Sequence, residues 1–331
     1  MSINYLPTKP PTPSPKKKPP TQTPPNPLTR PSRKIPAYNL RPNFNTGDDL
    51  AGTIHSVGSK IYEFRPGDRV ATFHEMMTPG GSFAEYAIGC QHTTFHLPPN
   101  VSYEAGATLP LAAMTAAIGL HLRLGLPHPW TPVPDGQKTP LLVYGGASAV
   151  GAYAIQLASL ANLHPIIAIA GRGATFVEGL IDRGKGDTIV DYRNGDERLI
   201  QDIRSALGDS KLRYAFDAVS EKGSYRNICK VLERTGRLTL VLPVKEEGVD
   251  SGIPESVDRS VTMVGEAHKG DKEFAYVMFK YMVRGLAQGW FRAHPFEVVE
   301  GGLETGVEKG LRWLQEGRNS GCKYVFRIGD A

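Results

Sequence analysis

From Leu141 onward the chain alternates short apolar runs with longer stretches in which apolar residues recur every three or four positions. The runs are "LLVYG", "PIIAIAG", "DTIVDY", "YAFDAVS", "GRLTLVLP" and "SVTMVG"; between them "GAYAIQLA", "FVEGLIDRG", "ERLIQDIRSAL" and "YRNICKVL" carry helical spacing. Strands that are apolar throughout and flanked by helices belong in a parallel sheet covered on both faces. The expected fold of this half is a doubly wound α/β domain.

The pattern before Leu141 is different. "DLAGTIHSVGS", "DRVATFHE" and "SFAEYAIG" read as short strands, with "RPGD" as the turn between the first two. "EAGATLPLAAMTAAIGLHLRLG" then reads as helix and runs into the proline-broken loop "LPHPWTPVPDGQKTP". No window reaches the ~18 apolar residues of a membrane span. Residues 1–45 show almost no apolar periodicity and hold 13 of the 27 prolines. Such a segment buries too little surface to offset its chain entropy, which predicts a disordered or polyproline-like tail. It also lacks the apolar core of a secretory signal.

Charge changes the picture only once it is located. The formal net charge is +5, but residues 1–45 carry eight Lys and Arg and no acid, so of 38 basic residues 30 remain to face 33 acidic ones. The basicity belongs to the tail, and the folded part has no field to attract nucleic acid. Cys90, Cys229 and Cys322 are far apart in sequence, which excludes a disulfide framework and a cysteine zinc cage and fits a cytoplasmic protein.

The candidate chemistry lies where the first apolar run ends. "GASAVG", Gly146 to Gly151, follows a strand and opens a helix, with Ser148 where a dinucleotide fingerprint usually has its second glycine. Backbone N–H groups and a helix N-terminus at such a corner hold a pyrophosphate. The alternative is that small residues here only permit tight strand–helix packing. A nucleophile elbow centred on Ser148 fails, because Val150 replaces the glycine that the elbow requires. The next run ends "IAIAGRGATF", placing Arg172 where an NAD site has an acid; Arg there favours NADP(H), although a solvated loop arginine has the same sequence.

Over about Gly47 to Ile328 the chain resembles the medium-chain dehydrogenase/reductase superfamily, in its zinc-independent quinone oxidoreductase-like and fungal enoyl reductase-like branch. The matching stretches are "DLAGTIHSVGSKIYEFRPGDRV", "GGSFAEYAI", "LPLAAMTAAIGL", "VYGGASAVGAYAIQLA", "DTIVDYR", "YAFDAVS" and "GGLETGVEKGLRWLQEGRNSGCKYVFRI". After the tail at 1–45, the resemblance implies a GroES-like β-rich domain at 46–114, a Rossmann domain at 115–290 and a return to the β-rich domain at 291–331. It implies that Gly146, Ala147, Ser148, Ala149 and Val150 lie along the cofactor phosphates. Arg172 and Tyr192 would lie near an adenosine 2′-phosphate and Thr115 near the nicotinamide. Tyr192 is equally readable as a strand-end aromatic and Thr115 as an ordinary helix residue. The cofactor implied is NADP(H), the substrate a small or thioester-linked molecule, and the resemblance allows a homodimer and a polyketide-pathway partner.

The zinc-dependent branch of this superfamily has Gly-His-Glu where this chain has Gly47-Asp48-Asp49, so no metal is expected. His74-Glu75 follows the wrong strand, and His92 and His96 lie in "QHTTFH", whose β-branched residues predict extended chain rather than a helical ligand pair. Without a Lewis acid, the expected chemistry is hydride delivery to a carbonyl-activated C=C bond. No proton donor is identified; Tyr62, Tyr86 and His74 are chemically able. Relatives begin with strands of the GroES-like domain where this chain has its proline-rich tail. That predicts an incomplete β-rich domain with an unpaired sheet edge, and with it a second reading: a truncated product, or a nucleotide-binding relative with little or no turnover.

Overall fold

The computed structural model describes residues 3–5, 45–244 and 252–328. Along them run the strands β1 (Ile3–Tyr5), β2 (Asp49–Thr53), β3 (Arg69–Phe73), β4 (Thr94–His96), β5 (Leu141–Tyr144), β6 (Ile166–Ile169), β7 (Thr188–Val190), β8 (Tyr214–Asp217), β9 (Arg237–Leu240), β10 (Asp258–Val261), β11 (Phe296–Val298) and β12 (Lys323–Arg327). The chain divides into two units, one of residues 1–110, 267–318 and 323–331, the other of 111–266 and 319–322.

The second unit is the doubly wound domain that the alternating pattern predicts. Its sheet has the order β10-β9-β8-β5-β6-β7, and every neighbouring pair is parallel. β5, β6 and the Ala215–Asp217 part of β8 are buried, as strands covered on both faces must be. The helix Asp196–Leu207 buries Leu199, Ile200, Ile203 and Leu207, and Leu199, Ile203 and Leu207 join Leu142, Ile167 and Leu238 in one core. Each such side chain, fully buried, contributes about 1.5–3 kcal/mol. Because the chain runs outward from β5 in both directions, the turn after β5 sits at the reversal point of the sheet, where ligands bind in such folds.

The first unit is built on a sheet of order β11-β12-β1-β2-β3-β4. β1 pairs in parallel with β12 (Ile3 opposite Val325) and with β2 (Ile3 opposite Asp49), and β2, β3 and β4 form an antiparallel meander. The "RPGD" turn forms as expected: Asp68 accepts from the N–H of Arg65 at 2.8 Å, and Gly67 takes φ +93.

Four expectations are corrected. Residues 3–5 belong to a strand rather than to a featureless tail, and this strand lies between β2 and β12, so the edge expected to be unpaired has a partner. The rest of the 1–44 segment lies outside the described residues. "SFAEYAIG" is an irregular bend rather than a strand: the Ser82 N–H is bonded to the Gly47 carbonyl at 2.7 Å and the Ile88 N–H to Gly80 at 2.9 Å, and the third antiparallel strand is instead Thr94–His96. The helix Lys272–Gln288, placed by the sequence in the Rossmann domain ending at 290, belongs to the first unit. It packs Phe279 against Phe95 at 5.1 Å and Phe73 at 6.4 Å. Finally, Tyr103–Arg123 has the length and the mean hydropathy, 1.4, of a membrane span; 89% of that stretch is buried within the protein, which accounts for its composition.

Candidate functional site

β5 delivers the chain into a turn that only glycine fits at two places. Gly145 takes φ +80, and a Cβ on Gly151 would run into the Gly145 carbonyl oxygen, so the first turn of the helix Ala149–Leu160 can lie directly on the strand end. The N–H groups of Gly145 and Gly146 are bonded to the Ile169 carbonyl at 3.0 and 2.9 Å, which ties the turn to the end of β6. Ser148 caps the helix: its Oγ accepts from the Gly151 N–H at 3.0 Å. Such a cap is worth about 0.5–2 kcal/mol. Its small hydroxyl replaces the usual glycine because it can complete the helix start without occupying space above it.

The structure brings the loop that carries Arg172 to the same corner, with Tyr192 over that loop. A Cβ built on Gly173 would stand 2.5 Å from that of Ala147, so the loop carrying Arg172 lies against the turn. The Tyr192 ring lies over Gly171, 2.8 Å from where a Cβ would be, and is itself about half exposed. Arg172 is exposed at the end of β6. The neighbouring Arg193 is gripped by Asp191, with bonds of 2.6 to 3.0 Å, and this pairing holds the Asp191 carboxyl below its usual pKa. Thr115 is buried and donates its hydroxyl proton to the Leu111 carbonyl at 2.7 Å.

One part of the corner carries no recognised sequence signal. Asp217, fully buried at the end of β8, accepts from the Val219 and Ser220 N–H groups at 3.0 and 2.8 Å and from the Ser224 hydroxyl at 2.5 Å. Burial pushes its pKa up while these donors pull it back. The network shapes the loop after β8, whose Val219 side chain stands 2.6 Å from a Cβ built on Gly145. The string "YAFDAVS" contains Asp217, Val219 and Ser220, but only the fold shows that its Asp is a loop organiser.

The proton-donor candidates do not gather at one place in the first unit. His74 is buried, with Nδ1 bonded to the Ile88 carbonyl at 2.8 Å and Nε2 to Thr78 at 3.0 Å. Tyr62 is 82% exposed and Tyr86 packs its edge on His55. His92 and His96 also separate: His96 pairs with Asp68 at 3.1 Å, whereas His92 meets His268, 176 residues away, at 3.3 Å. Burial lowers the pKa of both His92 and His268, the latter to about 4.

Comparison with known proteins agrees with this geometry. Residues 29–99 match the alcohol dehydrogenase GroES-like domain. The chain is 48% identical over 270 residues to the trans-enoyl reductase fsr4 of Gibberella fujikuroi, covering 81% of this chain and 79% of that protein. It is 31% identical over 310 residues to the trans-enoyl reductase fsa3 of a Fusarium species, covering 87% and 85%. Among solved structures, CurK enoyl reductase superposes with a TM-score of 0.68 at 18% identity, covering 88% of this chain and 82% of that one. The quinone oxidoreductase of Pseudomonas syringae pv. Tomato DC3000 superposes with a TM-score of 0.66 at 19% identity, covering 86% and 81%. The glycine corner, the parallel sheet that presents it and the identity to these relatives place the chain in the medium-chain dehydrogenase/reductase superfamily, in its enoyl-reductase-like branch.

Proposed function

We propose that the protein is a reductase that uses NADPH to deliver hydride to a carbon–carbon double bond activated by an adjacent carbonyl, as in an enone, a quinone or an enoyl thioester. The observation that carries this reading is the packing of the Arg172 loop against the turn that precedes the helix Ala149–Leu160, with the Tyr192 ring lying over Gly171 in that loop. The residues present fit a dinucleotide: Gly151 lets the helix start lie directly on the end of β5, where a side chain would run into the Gly145 carbonyl, and no acid stands at the end of β6 to repel a 2′-phosphate.

In this reading the N–H groups of Ala149 and Val150, which open the helix Ala149–Leu160 and have no partners inside it, face the pyrophosphate, which runs along Gly146, Ala147, Ser148, Ala149 and Val150. Arg172 meets the 2′-phosphate with a charge-assisted hydrogen bond, and Tyr192 covers the adenosine end. Thr115 has committed its proton to Leu111 and retains acceptor capacity toward the nicotinamide carboxamide. The bound nicotinamide nucleotide supplies the hydride, and the protein orients it. Asp48 replaces the histidine that would hold a zinc ion in the alcohol dehydrogenase branch, so carbonyl conjugation of the substrate, rather than a metal, makes the double bond electrophilic.

The identity to trans-enoyl reductases supports an enoyl thioester as the substrate class, with a polyketide-pathway enzyme as its source. The test is NADPH oxidation by purified protein against enones, quinones and enoyl thioesters. Turnover with at least one class and a preference for NADPH over NADH are expected. NADPH binding without turnover of any class would leave only the nucleotide-binding half of the proposal standing.

A further inference from the structure

Cys90, His92 and His268 converge in the first unit although His268 lies 176 residues beyond His92 in the sequence. The thiol and one nitrogen from each ring lie within 4.8 Å of one another. His92 Nε2 and His268 Nδ1 are 3.3 Å apart. That is long for a hydrogen bond and equals the edge of a tetrahedron whose metal–nitrogen bonds are about 2.0–2.1 Å. His268 is 5% exposed, and its other nitrogen, Nε2, has no hydrogen-bond partner among the described residues. A buried imidazole whose single polar contact is another imidazole is poorly satisfied as it stands. Glu75 and Glu273 lie close enough to act on His92, with Lys272 opposing them.

We propose that Cys90, His92 and His268 bind a divalent cation of the zinc class, with solvent or a nearby carboxylate completing four-coordination. One thiolate and two imidazoles form a donor set suited to zinc or cobalt and ill suited to magnesium or calcium, which take oxygen ligands. On binding, the metal–sulfur bond forms and the Cys90 proton passes to solvent, with no change of oxidation state. The site staples the turn Gln91–Thr93 to the segment ending at His268, and its place is structural rather than in hydride transfer. Phe73 packs its ring edge on His268 at 4.7 Å and supports one wall. The site is separate from Gly47-Asp48-Asp49, where the zinc-dependent branch binds its metal.

Cobalt is the probe. Titrating Co2+ into chelator-treated full-length protein should give a thiolate-to-cobalt charge-transfer band and tetrahedral d–d absorption that saturate at one ion per chain, with Zn2+ displacing both. Cys90→Ser should abolish the charge-transfer band. His268→Gln should weaken cobalt binding by at least about 100-fold, the upper end of what loss of a supporting outer partner costs. Cys229→Ser, at a cysteine outside the cluster, should change neither. Circular dichroism and metal-free melting of each variant distinguish lost binding from lost fold. Should Cys90→Ser fail to fold, alkylation of the half-buried Cys90 thiol, blocked by Zn2+ and followed by peptide mapping, reads the same site. Absence of the bands in folded wild-type protein, or bands unchanged in folded Cys90→Ser and His268→Gln, overturns the proposal.

Discussion

Lys323 Nζ lies 2.9 Å from Asp49 Oδ2, with side chains 8% and 0% exposed, in a pair that joins β12 to β2 across 274 residues of sequence. Lys323 also donates to the Thr108 carbonyl at 3.2 Å. Removing one member of such a pair strands the other charge without water. Lys323→Met is expected to cost about 3–5 kcal/mol, and the double variant Asp49→Leu/Lys323→Met to recover more than half of that loss. Urea unfolding of the parent, Asp49→Leu, Lys323→Met and the double variant measures it; equal losses in the single and double variants would show that the pair contributes packing only.

Arg172 is expected to set cofactor preference. Arg172→Ala should weaken NADPH binding by about 1–3 kcal/mol, the scale of a lost charged hydrogen bond, and leave NADH nearly unchanged. Calorimetric titration with both nucleotides decides the matter, since equal losses would remove Arg172 from the 2′-phosphate site.

Asp48 makes stability depend on pH in a stated direction. It is 7% exposed, and burial together with the neighbouring charge of Asp49 pushes its pKa up to about 7 from 3.8. A group whose pKa is raised by folding contributes its full stability below its unfolded pKa and loses it as pH rises through the folded value. Stability should therefore fall between about pH 4 and pH 7, by up to about 4 kcal/mol for a pKa difference of about 3. Asp48→Asn should flatten that decline. Denaturant melts at pH 5 and pH 8 test it: a decline as steep in Asp48→Asn as in the parent would assign the effect to another group.

The strand β1 is expected to complete its sheet. Deleting residues 1–5 would leave β2 and β12 without the neighbour each now has. Hydrogen exchange should then accelerate at 49–53 and 323–327 while 141–144 and 166–169 keep their protection. Unchanged exchange at β2 and β12 after the deletion would mean that β1 adds no protection.

The Rossmann unit was legible in the sequence because its determinants are local. The apolar runs become β5 to β10, and the glycine corner that follows β5 makes the helix start that its spacing predicts. Backbone sterics at Gly145 and Gly151 act over a few residues, so they can be read in order along the chain. The first unit was legible only in part. A run such as "SFAEYAIG" has strand composition, but Gly47 and Gly80 accept its terminal N–H groups and the ladder passes to Thr94–His96 instead.

What the sequence determined by itself was therefore the type of each locally patterned element and the place of the glycine corner among them. Tertiary structure alone decided that Ile3–Tyr5 enters a sheet between strands drawn from residues 49–53 and 323–327, and that Lys323 neutralises Asp49. It also decided that the helix Lys272–Gln288 covers Phe73 and Phe95, and that His268 meets His92. These contacts join residues separated by tens to hundreds of positions. Their free energy comes from burial and pairing that exist only after the intervening chain has folded, and no periodicity within a short window carries that information.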